Sequence, residues 1–114
     1  MKKNGPLRKK ITTKINTNLV DELKNLAIDI DFPASRIMEE GIIYILKKKK
    51  SVPSNNASKS SLCLTINPQL WNQFKKYATE NNQIMAYLLE EGLSHSLKEY
   101  HKKIEKKQFE NTNL

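Results

Sequence analysis

Cysteine is almost missing from this chain: Cys63 is the single one in 114 residues, so no internal disulfide can staple the fold. Long apolar runs are missing too, since the longest, residues 42–46, falls far short of the ~20 residues a membrane-crossing helix needs. The opening MKKNGPLRKK is followed by no apolar stretch that would complete a secretion signal, which points to a cytoplasmic protein. His95 and His101 stand without a Cys, His or carboxylate set at metal-ligand spacing. No Gly-rich phosphate loop and no nucleophile–base arrangement is present either. No enzymatic activity, cofactor, metal or small-molecule substrate is therefore expected.

What the chain has in excess is positive charge. Lys and Arg outnumber Asp and Glu by 20 to 12, a net +8, which favours a polyanionic partner such as nucleic acid or an acidic membrane surface. The hydrophobic share of 38% is that of a globular protein of modest size.

The chain also repeats itself. Residues 11–47 overlay residues 62–98 without a gap at an offset of 51, with ten identities in thirty-seven positions, a match that marks a duplication. The identities include Ile15/Ile66, Asn16/Asn67, Leu19/Leu70 and the run Glu39-Glu40-Gly41 over Glu90-Glu91-Gly92. Apolar character is kept at further pairs such as Leu23/Phe74 and Ile42/Leu93, so a burial pattern is repeated along with the letters.

Each copy opens with alternation, in 10–15 and in 61–66, that predicts a short strand. Asn16-Thr17 and Asn67-Pro68 supply helix-start chemistry. Leu19, Leu23, Leu26, Ala27 and Ile30 fall on one face of a first helix, as Leu70, Phe74, Tyr77 and Ala78 do in the second copy. Pro33 ends that helix in one copy and the polar 81–83 ends it in the other. Second helices follow, burying Ile37, Met38, Gly41, Ile42 and Ile45, then Leu88, Leu89, Gly92, Leu93, Ser96 and Leu97. A mid-helix glycine costs about 1 kcal/mol relative to alanine. Its recurrence predicts that Gly41 and Gly92 lie where two helix backbones approach closely.

A strand and two helices in so few residues cannot bury an independent core, and a lone strand leaves its backbone groups unpaired. The copies are expected to pair through antiparallel strands, the polar segment 48–60 being long enough to bridge them. The expected architecture is mainly α with a short two-stranded antiparallel ribbon. A basic arm (1–9) precedes the first repeat (10–47), and the second repeat (61–100) follows the linker. Residues 101–114 continue the last helix, along Tyr100 and Ile104, into a polar tail; an oligomer contact and a frayed end fit this extension equally well.

This duplicated strand-helix-helix register, with Glu-Glu-Gly in both copies, resembles the ribbon-helix-helix family of the Arc, MetJ and CopG type over about residues 9–100, in its tandem, TraY-like form. The resemblance implies an intramolecular pseudodimer that lays its ribbon in the major groove of double-stranded DNA. Alternation turns Lys10, Thr12 and Lys14 outward from the first strand and Ser61, Cys63 and Thr65 from the second. The resemblance implies that these six read base edges, a task suited to Lys, Ser and Thr. Thr13 stands where an apolar residue is expected, and a slip by one residue would exchange the two faces.

The start of each second helix, at 32–36 and 83–86, offers N–H groups and a positive dipole end. Phe32, Ser35, Arg36, Gln83 and Met85 are the phosphate-contact candidates there. Plain capping by Ser35 with a solvated Arg36 fits the residues equally well. Lys2, Lys3, Arg8 and Lys9, with Lys10, form an acid-free leading segment suited to the DNA backbone. The basic run 47–50 is accounted for by the negative end of the helix it closes. Cys63 reads as a small strand side chain before a redox sensor.

The role implied is that of a non-enzymatic, sequence-specific DNA-binding protein, a transcriptional repressor or regulator of the bacterial, phage or plasmid kind, acting at the nucleoid. Rival readings are an accessory factor at a plasmid transfer origin or partition site and an antitoxin-type interaction module using 101–114. A basic membrane-surface binder is the most distant. Self-association of pseudodimers on adjacent DNA sites is a further partnership the layout allows.

Overall fold

A computed structural model describes residues 8–53 and 55–112, the stretch 107–112 by its backbone alone. The chain runs β1 (Lys9–Asn16), α1 (Thr17–Asp29), α2 (Ala34–Lys48), β2 (Lys59–Ile66), α3 (Pro68–Glu80) and α4 (Met85–Thr112). The described residues are mainly helical, with four helices and a two-stranded antiparallel sheet.

The strands pair from Lys9 with Ile66 to Asn16 with Lys59, which sets Thr12 opposite Cys63. Thr12 and Cys63 are equivalent at the offset of 51, so the ladder is symmetric about that pair. Each strand supplies the hydrogen-bond partners that the other lacks. Ile11, Ile15, Leu62 and Ile66 turn into the core. Thr13 lies half-buried on the same side, as does its counterpart Leu64, and the first strand keeps its register.

The strands pass directly into helices because an asparagine caps each start. Asn16 Oδ1 accepts from the N–H groups of Asn18 and Leu19, and Asn67 Oδ1 from those of Gln69 and Leu70. Both first helices end through a left-handed residue, Asp31 (φ 52) and Asn82 (φ 54). The N–H of the next residue reaches back in each case, Phe32 to the Ala27 carbonyl at 3.0 Å and Gln83 to Ala78 at 2.8 Å. Asp and Asn tolerate this conformation better than other non-glycine residues. Here the structure refines the sequence reading, in which Pro33 alone ended the first helix.

The buried residues of all elements form one core, with Phe74, Leu23, Ile37, Met38, Ile42, Leu88, Leu89 and Leu93 among its largest fully buried members. Val20 replaces Leu19 in it: Val20 is 2% exposed, whereas Leu19 is only half-buried. The buried stripe of α1 thus follows Val20, Leu23 and Leu26 and is turned relative to the expected one. Trp71, equivalent to Val20, packs against the core edge at 5.8 Å from the Phe74 ring.

At the centre of the helical layer α2 crosses α4. A Cβ on Gly41 would stand 2.6 Å from the carbonyl carbon and oxygen of Gly92. The obstacle is backbone, which no rotamer change relieves, so only glycine allows this approach. One turn further on, Tyr44 and His95, again equivalent residues, stack with ring centroids 3.7 Å apart.

The two second helices end differently. α2 stops at Lys49, which is left-handed (φ 54). The segment after it is strapped to the second half: the Tyr77 hydroxyl donates to the Lys50 carbonyl at 2.6 Å and the Val52 N–H to Gln83 Oε1 at 2.8 Å. α4 instead continues to Thr112, past Tyr100, the equivalent of Lys49. Tyr100 donates its hydroxyl to Glu40 at 2.5 Å and tilts against the Phe32 ring. Burial, then the Glu40 carboxylate, push its phenol up to about 12. Among the described residues no helix is long and apolar enough to cross a membrane.

Candidate nucleic-acid interface

All six outward strand residues stand on one face. Lys10, Thr12, Lys14, Ser61, Cys63 and Thr65 are exposed, and the ladder pairs them as Lys10 with Thr65, Thr12 with Cys63 and Lys14 with Ser61. Both lysines belong to β1, one on each side of the Thr12–Cys63 pair, so the β1 edge of the face is cationic and the β2 edge neutral. These exposed side chains, which no helix covers among the described residues, can offer donors to a polar ligand without moving backbone.

The start of α2 borders this face. Lys10, Ala34, Ser35, Cys63, Leu64 and Thr65 line one shallow hollow, and none of them is acidic. Pro33 takes the N-cap position and makes no side-chain cap hydrogen bond. Ser35, inside the first turn, therefore does not cap the helix, and Arg36 beside it is exposed. Uncapped N–H groups at a helix start are an anion site in waiting.

Four of the sequence candidates are placed otherwise. The N–H groups of Phe32 and Gln83 are spent on closing α1 and α3. The Gln83 side chain holds Val52, and the Phe32 ring packs on Tyr100. Met85 is the half-buried first residue of α4. Arg8 stays exposed but is engaged by the protein, its Nη2 lying 2.8 Å from Glu39 Oε2 and donating to the Thr65 carbonyl at 3.0 Å. Lys9 is exposed at the end of β1, while Lys2 and Lys3 lie outside the described residues.

The partners of Arg8 expose what sequence reasoning missed. Glu39 and Glu90 are each 7% exposed, and each reaches across to the opposite copy. Glu39 Oε2 accepts the Asn67 N–H at 2.8 Å, and Glu90 Oε2 accepts the Asn16 N–H at 2.7 Å. The cations are equivalent as well: Arg8 on Glu39, and Lys59, 2.5 Å from Glu90. These two carboxylates fasten the ribbon ends to the helices. Asn55 Nδ2 adds a third donor to Glu90 at 2.8 Å. Burial by itself pushes the Glu90 carboxyl up, but the hydrogen bonds from Lys59, Asn55 and Asn16, with the Lys59 charge, outweigh it and hold the pKa below the ordinary carboxylate value. The available signal was the identity of both glutamates at the equivalent place in the second helices, with a cation, Arg8 or Lys59, at the start of each copy's strand.

Cys63 is exposed and unpaired with sulfur. Among the described residues no group of three or more His, Cys, Asp or Glu side chains could hold a metal ion. The sequence matches no protein-family model, and comparison with curated proteins and with solved structures finds no match.

Proposed function

We propose that this chain binds double-stranded DNA sequence-specifically, with β1 and β2 entering the major groove, and that it acts as a transcriptional regulator. In this reading residues 10–47 and 61–100 are two ribbon-helix-helix repeats forming a pseudodimer within one polypeptide. Three features that obey the same offset of 51 support the pairing: the Thr12–Cys63 centre, the Gly41–Gly92 crossing and the exchanged glutamates.

The observation that carries the DNA reading is the single exposed face of six hydrogen-bonding or small side chains, with the uncapped start of α2 at its margin. A two-stranded ribbon fits the major groove, where Lys donates to guanine O6 or N7 and Ser or Thr serves as donor or acceptor. Ser35, Arg36 and the first N–H groups of α2 then meet a flanking phosphate. The net +8 supplies salt-dependent attraction. Because the two edges of the ribbon differ, the preferred site has unlike halves.

Random-site selection with gel-shift readout tests this directly. The expected result is enrichment of one asymmetric site, bound with a steep salt dependence. Equal retention of all duplexes, or binding to anionic vesicles in preference to DNA, would overturn it. Transcription from the chain's own promoter, with and without the protein, separates a regulator from an accessory factor at a transfer origin or partition site.

A further inference from the structure

The flanks of the molecule are formed by equivalent helices of opposite character. α1 and the turn after it carry four acids, Asp21, Glu22, Asp29 and Asp31, against Lys24, a net −3. α3 and its turn carry Lys75 and Lys76 against Glu80, a net +1. All of these side chains are exposed. The reversal arises at equivalent positions, where Asp21, Glu22 and Asp31 become Asn72, Gln73 and Asn82, and Asn25 becomes Lys76.

The corners beside these helices also differ in shape. Ile28 is 77% exposed and Phe32 37%, and with Ala27, Asp31 and Pro33 they line a shallow hollow at the α1–α2 corner. The α3–α4 corner instead projects Ile84, 58% exposed. Three of the four large apolar side chains exposed among the described residues thus sit at these two corners.

We infer that the acidic α1 flank seats the basic α3 flank of a second copy of this chain, with Ile84 of that copy entering the hollow beside Ile28 and Phe32. The contact joins unlike surfaces, so it leaves a vacant flank at each end and builds an open row in place of a closed dimer. The apolar part is small and the charged part is solvated, which makes the contact weak and salt-sensitive in free solution. A polymer that holds copies side by side would raise their effective concentration and reveal it. That last use rests on the proposed DNA binding, whereas the contact does not.

The test is sedimentation of the full chain without DNA, over a concentration series at low and high salt. The wild type is expected to gain average mass with concentration at about 50 mM salt and to lose that gain at about 500 mM. Asp21→Lys with Glu22→Lys makes both flanks basic, and Lys75→Glu with Lys76→Glu makes both acidic. Each double variant alone should associate more weakly on the order of tenfold, and an equimolar mixture of the two should recover association. A wild type of constant mass, a double variant that associates as the wild type does, or a mixture that fails to recover would each overturn the inference. Gel-shift on a duplex long enough for one copy only reports the DNA reading separately. Failure there with sedimentation as expected would sink the proposed function and leave this contact standing.

Discussion

The two copies share most of a burial pattern and diverge chiefly at side chains outside the core. Beneath the ribbon, Glu39 and Glu90 do the same work, yet Glu39 holds two partners, Arg8 and the Asn67 N–H, where Glu90 holds three, Lys59, Asn55 and the Asn16 N–H. On the ribbon, the first copy presents Lys10 and Lys14, and the second Ser61 and Thr65 at the equivalent places. At the start of the second helix, Ser35 and Arg36 of the first copy answer to Ala86 and Tyr87. The Tyr87 ring lies under Lys59 and its hydroxyl reaches the Asn55 carbonyl. Duplication therefore kept the shared core and divided the surface: on the ribbon face and at the start of the second helix the first copy carries the exposed cations, and the second anchors the connecting segment.

The glutamates offer the largest way to break this comparison. Removing one partner of a buried, hydrogen-bonded pair leaves the remaining charge and N–H unsatisfied. Glu90→Ala should lower stability by about 3 kcal/mol and Glu39→Ala by about 2 kcal/mol, the smaller loss reflecting the half-exposed Arg8. Urea unfolding of both variants reads the difference, and equal losses would refute the unequal anchoring. The sign with pH follows from the lowered pKa of Glu90. Its contribution is complete above the ordinary carboxylate value of 4.5 and is lost as pH falls through the folded value. Glu90→Gln should flatten the acid limb of the stability profile, and an unchanged limb would assign that limb to other groups.

Next in size is the crossing, where the copies are most alike. Gly41→Ala gains about 1 kcal/mol of helix propensity but forces backbone apart, for a net loss of about 2 kcal/mol by thermal unfolding. Gly92→Ala should match it, because each Cβ would strike the other glycine's carbonyl. Under the proposed DNA binding, Lys14→Ala should cost about 1–3 kcal/mol of discrimination between sites, and Ser61→Ala, its cross-strand neighbour, less than about 1 kcal/mol. Arg36→Ala should weaken all sites alike and lower the salt slope by about 1. A Ser61 effect equal to that of Lys14 would show that the neutral edge reads the site as closely as the cationic one.

How much of this was legible in the letters follows the same division. The repeat, the strand alternation and the glycine crossing were readable because each rests on periodicity or on a steric rule with one solution. The glutamate exchange was not, since it depends on which helix start lies across the interface, a fact of tertiary pairing absent from local pattern. The pairing of Arg8 with Glu39 belongs to that exchange, so its neighbours in the basic run gave no sign of it. The placement of Phe32 and Gln83 was not legible for a related reason. Their N–H groups looked available because the next helix begins nearby, but a left-handed Asp31 or Asn82 turns each back onto the preceding helix. Val20 escaped because an amphipathic stripe fixes a face only to within a residue's width.

The smallest expected effect on stability lies at Lys49 and Tyr100, equivalent positions at which one helix stops and the other continues. Lys49 takes a left-handed conformation that an L-residue with a Cβ adopts at a cost of about 1–2 kcal/mol, a cost glycine avoids. Its side chain makes one distant ring contact, 5.8 Å from the Tyr77 centroid, too little to offset that strain. Lys49→Gly should therefore stabilise the chain by about 1 kcal/mol, since glycine loses more unfolded-state entropy and recovers only part of the strain. Tyr100→Phe should act in the opposite sense by a similar amount, through the lost bond to Glu40. If Lys49→Gly destabilised instead, the stop would have to come from the strap formed by Tyr77 and Gln83, and the contrast between the two helix ends would belong to the linker and not to the residue at the turn.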